Sequence, residues 1–105
     1  MQLMSLNEIM ETKIQLQHPE GKKAVSMDPD KYRILKEALI NILKTRGEAT
    51  HDEILQAVND EFNKNCTKFE GSVEWHLEWV KLDLEARKEI RRARAKNPVR
   101  YALGG

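Results

Sequence analysis

Seven basic side chains crowd into residues 86–105: Arg87, Lys88, Arg91, Arg92, Arg94, Lys96 and Arg100, against Glu89 as the single acid. This section carries +6, whereas residues 1–85 hold the other 11 basic and 16 acidic side chains, a balance of −5. Cations at that density can neutralise phosphates, so the chemistry they point to is polyanion binding. The competing reading is a solvated helix end whose cations complement the macrodipole and pair with nearby acids. Lys81, upstream of the cluster, extends it together with Arg87 and Lys88 onto the far end of the preceding helix.

The remaining reactive side chains make a weak case for catalysis. His18, His51 and His76 fall in three different predicted elements, and Cys66 is the only cysteine. No HExxH or CxxC spacing occurs, so neither a metal nor another cofactor is expected. His51 reads as an exposed first-turn residue, and Cys66 as an ordinary thiol despite Lys64 and Lys68 nearby. Gly21-Lys22 lacks the upstream glycine and the following Ser or Thr of a phosphate-binding loop. The expectation is a protein that is not an enzyme and has no small-molecule substrate.

The stretch Glu70-Gly71-Ser72-Val73-Glu74-Trp75-His76-Leu77-Glu78-Trp79 holds both tryptophans. Glu70, Glu74 and Glu78 form an acidic ridge at helical spacing, which opposes the approach of a phosphate backbone. Trp75 and Trp79 are therefore assigned to packing or to a protein interface rather than to base reading, with Trp75 placed under the N-terminal arm. Any duplex contact then runs through the basic section downstream: Lys81, Arg87, Lys88, Arg91, Arg92, Arg94, Lys96 and Arg100.

The elements that position these residues can be read from caps and periodicity. Leu3, Leu6, Ile9 and Met10 give residues 1–12 a weak helical pattern. Ile14 and Leu16 alternate with polar residues before His18-Pro19-Glu20-Gly21, which predicts a small hairpin or an extended arm. Asp28-Pro29 opens a helix over 29–46, with Tyr32, Leu35, Leu39 and Ile42 as its stripe and Gly47 as its stop. Thr50 and Glu53 form a capping box for a second helix carrying Ile54, Leu55, Val58 and Phe62. The link Glu48-Ala49-Thr50 leaves room for a tight turn or one strand bridge. Ser72 caps a third helix with Val73, Leu77, Val80 and Leu84 on one stripe and Trp75, Trp79, Leu82 and Ala86 on another. Asp83 with Arg87, and Glu85 with Lys88, are helix-spaced opposite charges. Beyond Ala86 the period changes: Ile90 and Arg92 alternate, as do Val99, Tyr101 and Leu103, around an Asn97-Pro98 turn. A strand, a basic loop and a returning strand follow, in preference to a helix prolonged through Ala95.

The expected fold is mainly α with a small β-hairpin. It is a winged helix-turn-helix of three helices and a C-terminal wing over residues 28–105, preceded by an arm or hairpin over 1–27. At Gly71-Ser72-Val73-Glu74-Trp75 and Val80-Lys81-Leu82-Asp83-Leu84-Glu85-Ala86-Arg87 the chain resembles a family of small bacterial domains without assigned function. That family also opens on an extended Ile-Gln segment, as at Ile14-Gln15, and a Gly-Lys turn, as at Gly21-Lys22. The resemblance covers roughly residues 13–103, implies the winged-helix architecture and transfers no activity or site residues. More distantly, the element order is similar to that of winged-helix transcription regulators.

Composition narrows the setting. With 40% apolar and 33% charged residues the chain suits one modest core and a solvated surface. One cysteine excludes an internal disulfide, and no run reaches the roughly 18 apolar residues of a membrane span. The start lacks the pattern of a signal peptide, so the cytoplasm is the expected compartment. Two functional classes stay open. One binds double-stranded DNA through the wing, with a homodimer as the form that suits short operators. The other is an interaction or dimerisation module that kept the scaffold and does not bind DNA.

Overall fold

The computed structural model describes residues 13–94 and 97–104, with the backbone alone at Arg94. Its element order is β1 (Ile14–Gln15), β2 (Ser26–Met27), α1 (Pro29–Arg46), β3 (Glu48–Thr50), α2 (His51–Lys64), α3 (Val73–Ala86), β4 (Ile90–Arg94) and β5 (Arg100–Leu103). Among the described residues, three helices and two small antiparallel sheets make a mixed α/β architecture with modest strand content. The sheets run β1-β2 and β3-β5-β4.

Local chemistry explains the helix limits. The Asp28 carboxylate accepts from the Asp30 and Lys31 amides, and Pro29 stands where no amide bond is needed. Gly47, at φ 84°, closes α1 by donating to the Leu43 carbonyl at 2.8 Å. The Thr50–Glu53 capping box forms as the spacing requires. Thr50 Oγ accepts from the Glu53 amide at 3.2 Å, and Glu53 Oε1 accepts from the Thr50 amide at 3.0 Å. That backbone donation holds the Glu53 carboxyl below its usual range. Ser72 caps α3 at the Trp75 amide.

Helix α3 stops at Ala86, which settles the choice between a long helix and a hairpin. The Glu89 amide donates to Leu84 O at 2.9 Å and the Lys88 amide to Glu85 O at 3.1 Å. These are the two bonds of a Schellman closure, with Lys88 in the left-handed position at φ 66° where glycine is usual. The chain then turns back as β4, a bulge between Arg92 and Arg94, and β5. The 48–50 link is a three-residue strand paired with β5, from Glu48 opposite Ala102 to Thr50 opposite Arg100.

The core gathers Leu35, Leu39, Leu43, Ile54, Val58, Leu77, Val80 and Leu84 from the helices and Ala49, Ile90 and Tyr101 from the larger sheet. Residues 13–27 form a hairpin, and its Leu16 and Met27 are buried in the same cluster. Gly21 turns that hairpin at φ 77°. The periodic segment 1–12 lies outside the described residues. Among the described residues, no helix is long and apolar enough to cross a membrane.

Candidate nucleic-acid interface

The basic section divides into two groups once it is folded. Lys81 leaves the expected set: its side chain is only 3% exposed. Its Nζ lies 4.3 Å from the Tyr101 ring centroid and 3.3 Å from Glu78 Oε1. The position follows Leu77 by one turn and precedes Leu84, so it faces the core, and the aromatic face replaces the water an ammonium needs. Arg87 is also committed. Its Nε donates to Asp83 Oδ2 at 2.8 Å, confirming the helix-spaced pair, and that bond pushes the guanidinium pKa further up.

Asp83 is fully buried and accounts for this commitment. Besides Arg87 it accepts from the Gln17 amide at 2.8 Å and from the Tyr32 hydroxyl. Three donors from three elements surround one carboxylate, so the buried charge is paired and its oxygens are satisfied. Burial first, and then the bond to Asp83, push the Tyr32 phenol well above its ordinary range. The cluster ties the N-terminal hairpin to α1 and α3 and is structural in character.

The rest of the basic section lies on the ribbon or at its root. Lys88 is exposed at the helix end and, among the described residues, forms no ion pair. Glu85, expected to take Lys88, instead accepts from Arg92 Nε at 3.0 Å. The left-handed turn at Lys88 carries that residue off the helical spacing. Arg91 is exposed on β4. Arg100 Nη1 stands 3.7 Å from Glu53 Oε1. The ladder puts Arg94 opposite Arg100 and Arg91 opposite Ala102. Lys96 lies outside the described residues. Arg91, Arg92, Arg94 and Arg100 thus share one two-stranded ribbon.

At the other end of α3 the two indoles part company. Trp75 is 48% exposed, so the described part of the N-terminal arm, residues 13–27, does not cover it. It is Trp79 that meets the hairpin, edge-on to His18 at 6.5 Å, while packing on the core. The acidic ridge is partly engaged: His51 Nε2 lies 3.1 Å from Glu74 Oε2, and His51 Nδ1 lies 3.6 Å from Glu78 Oε1. His51 is therefore half-buried between α2 and α3 rather than a free first-turn residue. Sequence spacing carried no sign of this contact, which joins residues on separate helices. Glu70, Glu74 and Glu78 still present an exposed acidic surface around Trp75.

His76 donates from Nδ1 to the Ser72 carbonyl at 2.7 Å and packs edge-on to Phe69. Cys66 is an exposed free thiol in the loop after α2. Among the described residues, no group of three His, Cys, Asp or Glu side chains is arranged to hold a metal ion. No curated protein and no solved structure matches the chain. A family model does match, over residues 13–101, and the chain belongs to that family, a family of unknown function (DUF6958).

Proposed function

We propose that this is a non-enzymatic winged-helix protein that grips duplex DNA through its C-terminal ribbon. The observation that carries the reading is the ladder register: Arg94 stands directly opposite Arg100, with Arg91 and Arg92 on the same ribbon. Glu53 lies 3.7 Å from Arg100 and Glu85 accepts from Arg92 at 3.0 Å, exposed pairs that a phosphate backbone can replace. The order of helices and strands, with β5 between β3 and β4, fits a winged helix-turn-helix in which β4 and β5 form the wing. Wing arginines suit phosphates and narrow minor grooves. Helix α3 contributes little to base reading, because its exposed first turns offer Glu74, Trp75 and Glu78.

Fluorescence anisotropy with a mixed-sequence duplex tests this. Four ribbon cations imply a slope of about −3.6 in log affinity against log salt. Affinity then falls roughly a hundredfold for a fourfold rise in salt. A slope near zero, or no binding at low salt, would discard the DNA reading. The second reading, an interaction module on the same scaffold without a DNA face, draws on the exposed Trp75 within its acidic surround.

A further inference from the structure

We infer that the exposed face of α3 is a docking surface for a second copy of this chain, with the two α3 helices packed antiparallel about a two-fold axis. This goes beyond the DNA reading and does not depend on it. Trp75, Trp79, Leu82 and Ala86 recur at helical spacing along the outer side of α3, opposite the buried Leu77, Val80 and Leu84. Trp75 is exposed, and the other three are half-buried. The hairpin covers this side in part, at Trp79, and leaves the exposed Trp75 for a second partner.

Charge identifies the occupant. The N-terminal end of α3 is acidic, with exposed Glu70, Glu74 and Glu78. Just past the C-terminal end stand the exposed Lys88 and Arg91, beside the Arg87 that is already bonded to Asp83. The 14-residue helix, about 21 Å long, therefore separates an acidic segment at its start from basic residues just past its end. An antiparallel copy sets each acidic end beside a basic end, twice, and opposes the two macrodipoles favourably. A parallel copy would put like ends together. Lys88 is unpaired among the described residues and so is free to meet Glu74 of the partner subunit, while the Trp75 ring offers its face to a cation. A phosphate backbone is the wrong occupant for this acidic face.

The arrangement also leaves the two ribbons at opposite ends of the helix pair, as two-fold reading of a duplex would need. A surface of one helix face and its flanks lies at the small end for stable interfaces, so micromolar affinity is expected.

Sedimentation equilibrium on the whole chain, from about 5 to about 500 µM and at about 25 and about 500 mM salt, provides the test. The expected result is a monomer–dimer equilibrium that weakens with salt. Trp75→Ala should weaken it about tenfold or more while the amide circular dichroism stays unchanged, since the indole is exposed. Glu74→Lys and Lys88→Glu should each weaken it, and the doubly reversed chain should recover dimerisation. A monomer throughout overturns the proposal, whatever the DNA titration gives. So does a dimer that is indifferent to Trp75→Ala and to both reversals. Failure of the double reversal to restore association rules out the antiparallel pairing.

Discussion

The two hairpins that flank α3 are held by different physics. The N-terminal one is anchored by buried Leu16 and Met27 and by a backbone amide that donates to a carboxylate with no access to water. The C-terminal one is anchored by buried Ile90 and Tyr101 and by an exposed pair between Arg92 and Glu85. A polar anchor sealed from water must be fully satisfied, so it binds every charge near it: Arg87 belongs to Asp83. An apolar anchor makes no such demand, and the ribbon cations stay at the surface. Proximity in sequence therefore misleads, because Arg87 and Arg91 lie one helical turn apart in number but serve different ends.

Removing the sealed carboxylate should have the largest effect. Asp83→Ala leaves the Arg87 guanidinium, the Tyr32 hydroxyl and the Gln17 amide without their acceptor. The expected loss is about 3 kcal/mol or more in urea unfolding. Amide exchange should quicken first in the N-terminal hairpin, with β4 and β5 affected less. A loss below about 1 kcal/mol would mean that the two hairpins are anchored alike.

The ribbon should respond in the opposite way. Arg91→Glu combined with Arg94→Glu should lower duplex affinity by about a hundredfold or more at low salt. Urea stability should move by less than about 0.5 kcal/mol, as surface changes usually do. Lys81→Met separates the groups further, because a cation buried over Tyr101 cannot meet a phosphate. It should leave the salt slope unchanged. If Lys81→Met reduced the slope as much as one ribbon arginine does, the division of the basic section would be wrong.

Tyr32 gives the sealed anchor a pH signature. Its folded pKa lies well above the unfolded value of about 10. Below that value both states keep the proton, and the contribution to stability is fully present. Above it the unfolded chain ionises while the folded chain still holds the proton, so unfolding becomes easier as pH rises. The expected slope is up to about 1.4 kcal/mol per pH unit. Tyr32→Phe should cost about 1–2 kcal/mol at neutral pH and remove this alkaline decline. Equal slopes in both proteins would separate Tyr32 from the anchor. The lysines titrate in the same range, so the difference between the proteins is the quantity to read.

Much of this architecture was legible because its signals are local. Asp28-Pro29, Gly47, the Thr50–Glu53 box and Ser72 act within a few residues and fall where the helices begin or end. The change of period after Ala86 gave the ribbon. What stayed hidden was made by distant contacts. Asp83 is buried by Gln17, 66 positions away, and by Tyr32, 51 positions away. Lys81 is covered by Tyr101 from the returning strand. A charged residue in a core-facing phase can be read either as a break in the pattern or as a buried partner, and periodicity cannot choose between them. The indoles show the same limit: Trp75 and Trp79 share a stripe, yet only Trp79 is met by the hairpin.

The smallest expected effect concerns Lys88, where helix and ribbon meet. A lysine held at φ 66° accepts a steric cost that glycine avoids. Lys88→Gly removes that cost, but it also gives the unfolded chain more freedom, which offsets part of the gain. The net result should be a rise of about 0.5 kcal/mol in stability, seen as a higher urea midpoint with an unchanged m-value. Lys88 stands outside the ribbon ladder, which begins at Ile90, so the duplex salt slope should change by less than about half a unit. A drop of one full unit would place Lys88 among the phosphate contacts instead, moving the boundary between anchor and ribbon back to the last turn of α3.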